Sequence, residues 1–146
     1  MGTRRKAREL AMQALFYMDI RNDVSAEMLA RFCENFSPSP KAQPFFLKLV
    51  NGVLETQAEL DALIERFSKN WDISRMSCVD RNVMRIAVFE LVHCDDIPPK
   101  VSINEAVDIG KKFGTEESGA FINGIMDSIR SELEKDGKLK ESSKLD

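Results

Sequence analysis

Cys78-Val79-Asp80-Arg81-Asn82-Val83-Met84-Arg85-Ile86-Ala87-Val88-Phe89-Glu90-Leu91-Val92-His93-Cys94 is the stretch whose reading decides the fold. Val79, Val83, Met84, Ile86, Ala87, Val88, Phe89, Leu91 and Val92 put apolar groups on most sides of a helix. A helix apolar nearly all round has to be wrapped by others, so it is read as the central element. Ser77 before it and Asp80 three residues on have the spacing of a capping box, and Asp95-Asp96-Ile97-Pro98-Pro99 ends it. Glu90 is the acid in its interior and requires a partner if buried. Arg81, Arg85 or a helix N-terminus are the candidates.

Outward from this centre the apolar period stays helical. Ala7, Leu10, Ala11, Ala14, Leu15 and Met18 form one stripe of a helix over residues 3–20. Ser25 caps a second, with Met28, Leu29, Phe32, Cys33 and Phe36 inward. Ser37-Pro38-Ser39-Pro40 is a loop, and Pro44 suits the first turn of a third helix. Gln57 and Asp61 interrupt that helix, which is therefore one bent helix or two. Trp71 and Ile73 fall in a connecting turn. Ser102-Ile103-Asn104-Glu105 reads as a capping box for a helix ending at Phe113, with Gly114 as its C′ residue. Thr115-Glu116-Glu117 opens the last helix, striped by Phe121, Ile122, Ile125, Met126, Ile129 and Leu133, with Gly124 expected at a close helix approach. From residue 135 the tail is charged, with Leu139 and Leu145 isolated, and is expected to fray. No alternating strand pattern and no repeat stand out. The expected fold is all-α, with about seven helices in one domain over residues 1–134.

Length and composition agree. The 146 residues, 43% hydrophobic and 31% charged, fit a single domain able to bury a core without disulfide or metal. No run of eighteen apolar residues and no signal-peptide pattern occur, so the expected compartment is the cytoplasm. Cys33, Cys78 and Cys94 include no CxxC pair, and His93 is the lone histidine. A zinc site would need about four N or S ligands at short spacings, so the cysteines are read as small core residues and no metal or cofactor is expected. His93 and Cys94, adjacent in sequence, do not face each other on a helix. Phosphate-loop, dinucleotide, metalloprotease and nucleophile-elbow motifs do not occur. An enzyme has no support, and catalytic residues are expected to be none.

The net charge of −3 hides an asymmetry. Arg4, Arg5, Lys6 and Arg8 against Glu9 give residues 1–9 a balance of +3, leaving −6 over the other 137. Cations in a first turn oppose the helix dipole, at about 0.3–1 kcal/mol each. Residues set against local stability are better explained by a task elsewhere. Arg4 with Arg8 and Arg5 with Arg8 share a ridge, which suits phosphate contact.

Two stretches carry a specific resemblance. One is Arg4-Arg5-Lys6-Ala7-Arg8-Glu9-Leu10-Ala11-Met12-Gln13-Ala14-Leu15-Phe16. The other runs from Asp80-Arg81 through Arg85-Ile86-Ala87, Phe89-Glu90-Leu91, Asp96-Ile97-Pro98-Pro99-Lys100-Val101, Ile103-Asn104-Glu105-Ala106 and Lys111-Lys112-Phe113-Gly114 to Phe121-Ile122-Asn123-Gly124-Ile125-Met126-Asp127. Together they resemble the NusB family of bacterial transcription antitermination factors, in order over nearly the whole chain. The resemblance implies two small helical bundles packed across each other. It also implies pairing with a NusE-like small-subunit ribosomal protein, binding of boxA-like RNA, and entry into the RNA polymerase antitermination complex. Such domains also occur fused to RNA methyltransferases, for which 146 residues leave no room.

With the resemblance, Arg4, Arg5, Lys6 and Arg8 become RNA-binding candidates, with a solvated face as the plain alternative. Phe16, two turns beyond Arg8, matches an aromatic of the family's RNA surface and could stack a base. The start of the last helix is implied to meet RNA, through Glu117 as an acceptor for a base amino group and Phe121 as a stacking ring. Asp80 is a second such acceptor, and Lys100, Lys111 and Lys112 are phosphate candidates. The alternatives are ordinary caps, core rings and solvent lysines. Three rivals stand beside the whole reading: a purely structural helical module, a homodimer that hides the RNA surface, and an accessory domain of an RNA-modifying enzyme.

Overall fold

The structure, a computed structural model, describes residues 2–69, 71–137 and 139. Among them the chain forms six α-helices and no strand: α1 (Gly2–Arg21), α2 (Ala26–Asn35), α3 (Gln43–Phe67), α4 (Cys78–His93), α5 (Pro99–Phe113) and α6 (Ser118–Lys135), with a short 3₁₀ turn at Ile73–Arg75 before α4. One bundle is built from α1, α2 and α3, the other from α4, α5 and α6. The apolar stretch read as central is α4, which touches α1, α3, α5 and α6. Its Met84 and Val88 are fully enclosed, facing a core that includes Phe46, Leu49, Val50 and Val53 of α3. Each such side chain contributes about 1.5–3 kcal/mol by leaving water.

Six helices replace about seven because α3 stays continuous through a kink. Thr56 has non-helical φ −119° and ψ 17°, and its hydroxyl donates to the Gly52 carbonyl at 2.7 Å. That bond back to the preceding turn bends a helix without ending it. The bend therefore falls at Thr56, ahead of Gln57 and Asp61.

Caps hold two helices as expected: Ser25 accepts from the Met28 amide at 3.1 Å and Ser77 from the Asp80 amide at 3.0 Å. Two other starts differ. α5 begins at Pro99, before Ser102, because Pro99 is preset for a first turn. Ser102 is buried and its hydroxyl turns inward to Glu90 at 2.6 Å. α6 begins at Ser118, whose hydroxyl accepts from the Thr115 amide at 2.9 Å, so Glu116 and Glu117 precede the helix body. Close helix approach also sits elsewhere than expected. A Cβ on Gly124 would meet open space, whereas at Gly52 it would strike the Phe89 ring and at Gly110 the Ile122 side chain. Of the cysteines, Cys94 is buried and Cys33 and Cys78 half-buried. Leu139 packs partly against the core; residue 138 and residues 140–146 of the expected tail lie outside the described residues.

Candidate nucleic-acid interface

The first turns of α1 carry the basic cluster, and its members divide by depth. Arg8 is buried at 4% exposure. Its Nε and Nη2 donate to the two carboxylate oxygens of Glu90 at 2.8 and 2.9 Å, and the Ser102 hydroxyl donates to the same carboxylate. This corrects two expectations. Arg8 leaves the RNA ridge, because its guanidinium is enclosed and committed to Glu90. The partner of Glu90 is an arginine 82 residues away, and neither Arg81 nor Arg85.

Arg4 and Arg5 reach outward. Arg4 is half-exposed, donates to Asp96 at 3.1 Å and stands 4.6 Å above the Phe45 ring. Arg5 bridges Glu105 and, at 2.9 Å, Asp108. The hydrogen bond to Glu105 holds the Arg5 guanidinium above its ordinary range, and the same bond holds the Glu105 carboxyl below its own. Lys112 pairs with the mostly buried Glu9 at 3.1 Å. A string of ion pairs thus spans from α1 to α5 and to the loop before it. The Arg4–Asp96 pair, exposed on both sides, is worth about 0–1 kcal/mol, so its cation can exchange a carboxylate for a phosphate, whereas the acids facing Arg5 and Lys112 are more enclosed. Lys6, Lys100 and Lys111 are exposed.

The other candidates lie around the far end of α1 and the starts of α4 and α6. Phe16 is half-buried and, with Tyr17, Ile20, Phe32 and Phe36, lines an apolar groove between α1 and α2. One turn on, Asp19 accepts from Arg81 at 2.8 and 3.0 Å and from Asn82 at 2.9 Å. Burial pushes the Asp19 carboxyl up, but the hydrogen bonds from Arg81 and Asn82 outweigh it and hold it at about 2. Burial and Asp19 together raise the Cys78 thiol to about 11, so it is a poor nucleophile at neutral pH. Beside this knot, Asp80 is 9% exposed and its Oδ1 has no hydrogen-bond partner. The expected capping box is thus half-made: Ser77 serves Asp80, and Oδ1 is enclosed, shut off from solvent and without a partner.

Arg81 also donates from Nη1 to the carbonyls of Ile73, at 3.4 Å, and Met76, at 3.2 Å, which fixes the loop before α4. That loop brings Trp71 against Phe121, ring centroids 6.2 Å apart and planes at 70°. Glu117 is exposed one turn before the half-buried Phe121. Sequence reasoning missed Trp71 and the Asp19–Arg81 knot. The signal for Trp71 was available, since a lone tryptophan stands among polar loop residues; the knot joins residues 62 apart and leaves no local pattern. Among the described residues no three His, Cys, Asp or Glu side chains are grouped to hold a metal, and no helix is long and apolar enough to cross a membrane.

Comparison with known proteins gives this arrangement its context. The pattern of the NusB family matches residues 5–131. The transcription antitermination protein NusB of Desulfatibacillum aliphaticivorans is 56% identical over 138 residues, covering 94% of this chain and 96% of the relative. The solved T. maritima NusB superposes with a TM-score of 0.81 at 38% identity, covering 88% of this chain and 91% of that one. A solved complex of the antitermination factors NusB and NusE with double-stranded RNA contains a chain that is 28% identical, with a TM-score of 0.81, covering 90% of this chain and 98% of its own. A family match of this extent, on a fold of the same architecture, is decisive: the chain belongs to the NusB family.

Proposed function

We propose that this protein is a transcription antitermination factor of the cytoplasm. It binds boxA-type single-stranded RNA together with a NusE-like ribosomal protein and helps RNA polymerase pass premature termination signals, notably in ribosomal RNA operons. The observation that carries the reading is the family membership, and exposed cations on α1 and α5 with part-exposed aromatic rings support it. The RNA-facing set is Arg4, Arg5, Lys6, Lys100, Lys111 and Lys112 for phosphates, Phe16 and Phe121 for bases, and Asp80 and Glu117 as acceptors for base amino groups. The work is binding and assembly, without a catalytic step.

The test is an anisotropy titration of a labelled boxA-like RNA against a scrambled control, with and without the NusE-like protein. Selective binding that tightens with the partner is expected. Equal affinity for both RNAs would overturn the boxA reading.

A further inference from the structure

Trp71 is the single tryptophan of the chain and is 49% exposed. Leaving so large a ring in water forgoes burial energy, and tryptophan is a residue enriched at contact surfaces. Its backbone, in contrast, is tightly held. The Trp71 amide donates to the Ser68 carbonyl at 2.9 Å, and the buried Ser68 hydroxyl donates to the Trp71 carbonyl at 2.9 Å. Beyond it, the Ile73 amide donates to Glu65 at 2.7 Å and Arg81 grips the following carbonyls. An exposed ring on a fixed backbone is preorganised for a ligand, because little freedom remains to be given up on binding.

The neighbour sets the chemistry. At 70° and 6.2 Å, Trp71 and Phe121 meet edge to face, an arrangement that braces a ring without covering both of its faces. The two planes form a corner, in which a flat heterocycle can lie on one ring with its edge against the other.

Resting on the RNA reading above, we infer that Trp71 is a further RNA-binding residue, which stacks an unpaired base in the corner it forms with Phe121. The base is recognised by its face, so the contact tolerates any of the four bases and adds affinity without selecting sequence.

Because Trp71 is the sole tryptophan, its fluorescence reports this site alone. The experiment titrates a boxA-like single-stranded RNA into the full-length protein, following Trp71 emission and its access to acrylamide, in parallel with the anisotropy of labelled RNA. The emission should change and acrylamide access should fall, both saturating with the anisotropy. Trp71→Ala should bind roughly five- to hundred-fold more weakly and Trp71→Phe should recover most of that affinity, both variants melting close to the parent. Saturating anisotropy with unaltered emission and acrylamide access, or Trp71→Ala binding like the parent, would overturn the role of Trp71 and leave the RNA reading standing. If Trp71→Ala melts early, the protection of the parent and the affinity of Trp71→Phe decide the matter instead. No anisotropy change with either RNA would overturn both.

Discussion

Arg8 and its neighbours Arg4 and Arg5 show how far apart adjacent residues can stand in function. All three oppose the α1 dipole, and the sequence argument that such charges serve another task is sound for each. The task differs. Arg8 neutralises Glu90 inside the protein, while Arg4 and Arg5 reach the surface. Removing one member of a buried pair leaves the other charge uncompensated, at about 3–5 kcal/mol. Arg8→Ala should therefore melt on the order of ten degrees lower, given about 2–4 °C per kcal/mol for a chain of this size. Arg4→Ala with Arg5→Ala should instead melt near the parent and lower the salt slope of RNA binding by roughly 0.7 for each phosphate that is no longer neutralised. Thermal melts and a salt titration of the variants separate the two. An Arg8→Ala protein with parental melting and a flattened salt slope would return Arg8 to the RNA surface. One sequence could not divide these arginines, because the burial of Arg8 depends on an acid 82 residues away.

Elements are joined by glycines and by a polar knot, and each joint gives a signed expectation. Gly52 faces the Phe89 ring, so Gly52→Ala should lose about 1–3 kcal/mol by overpacking, although alanine favours the helix. Gly124 faces open space on α6, so Gly124→Ala should gain about 0.5–1 kcal/mol. Urea denaturation of the two variants reads the opposite signs. Both glycines look alike in sequence, since a glycine's role depends on a neighbour from another helix. The central position of α4 was legible, because its apolar residues cover most sides and need other helices around them. The starts of α5 and α6 were not, because a serine that caps a helix and one that turns inward share the same local pattern. At the other joint, Asp19 ties the end of α1 to the start of α4. Its folded value of about 2 lies below the ordinary 3.8, so the unfolded chain binds more protons between the two. That stabilisation is complete above pH ~4 and is lost as pH falls through about 2. Melting curves from pH 5 to 2 should fall less steeply in Asp19→Asn, which starts from a lower stability because Arg81 and Asn82 lose an ionic acceptor.

At the scale of the whole molecule, the all-α architecture and the family were readable from the order of helical stripes and the spaced identities over residues 80–127. The candidate surface was readable only as residue types. Its geometry comes from pairings between distant elements: Arg4 with Asp96, Arg5 with Glu105, Lys112 with Glu9, and Trp71 with Phe121. A binding role shared with a NusE-like protein carries a thermodynamic requirement: if the partner tightens RNA by some factor, RNA must tighten the partner by the same factor. Calorimetry of each binary and ternary step checks that equality, and RNA affinity indifferent to the partner would reduce the assembly to two independent activities.

The ion pairs of the basic arm also make RNA capture a protonation event. Hydrogen bonds from Arg4 and Arg5 hold the carboxyls of Asp96 and Glu105 below their ordinary range. A phosphate that takes over those guanidiniums releases both acids beside a new negative charge, and their affinity for protons rises. RNA binding should then take up protons around pH 4–5, near the ordinary carboxylate values, and tighten as pH falls through that window. Calorimetric heats of RNA binding at pH ~4.5 should accordingly depend on the ionisation enthalpy of the buffer. At pH 7, where these carboxylates stay ionised in both states, their share of that dependence should vanish, as it should at the lower pH when Arg4 and Arg5 are replaced by alanine.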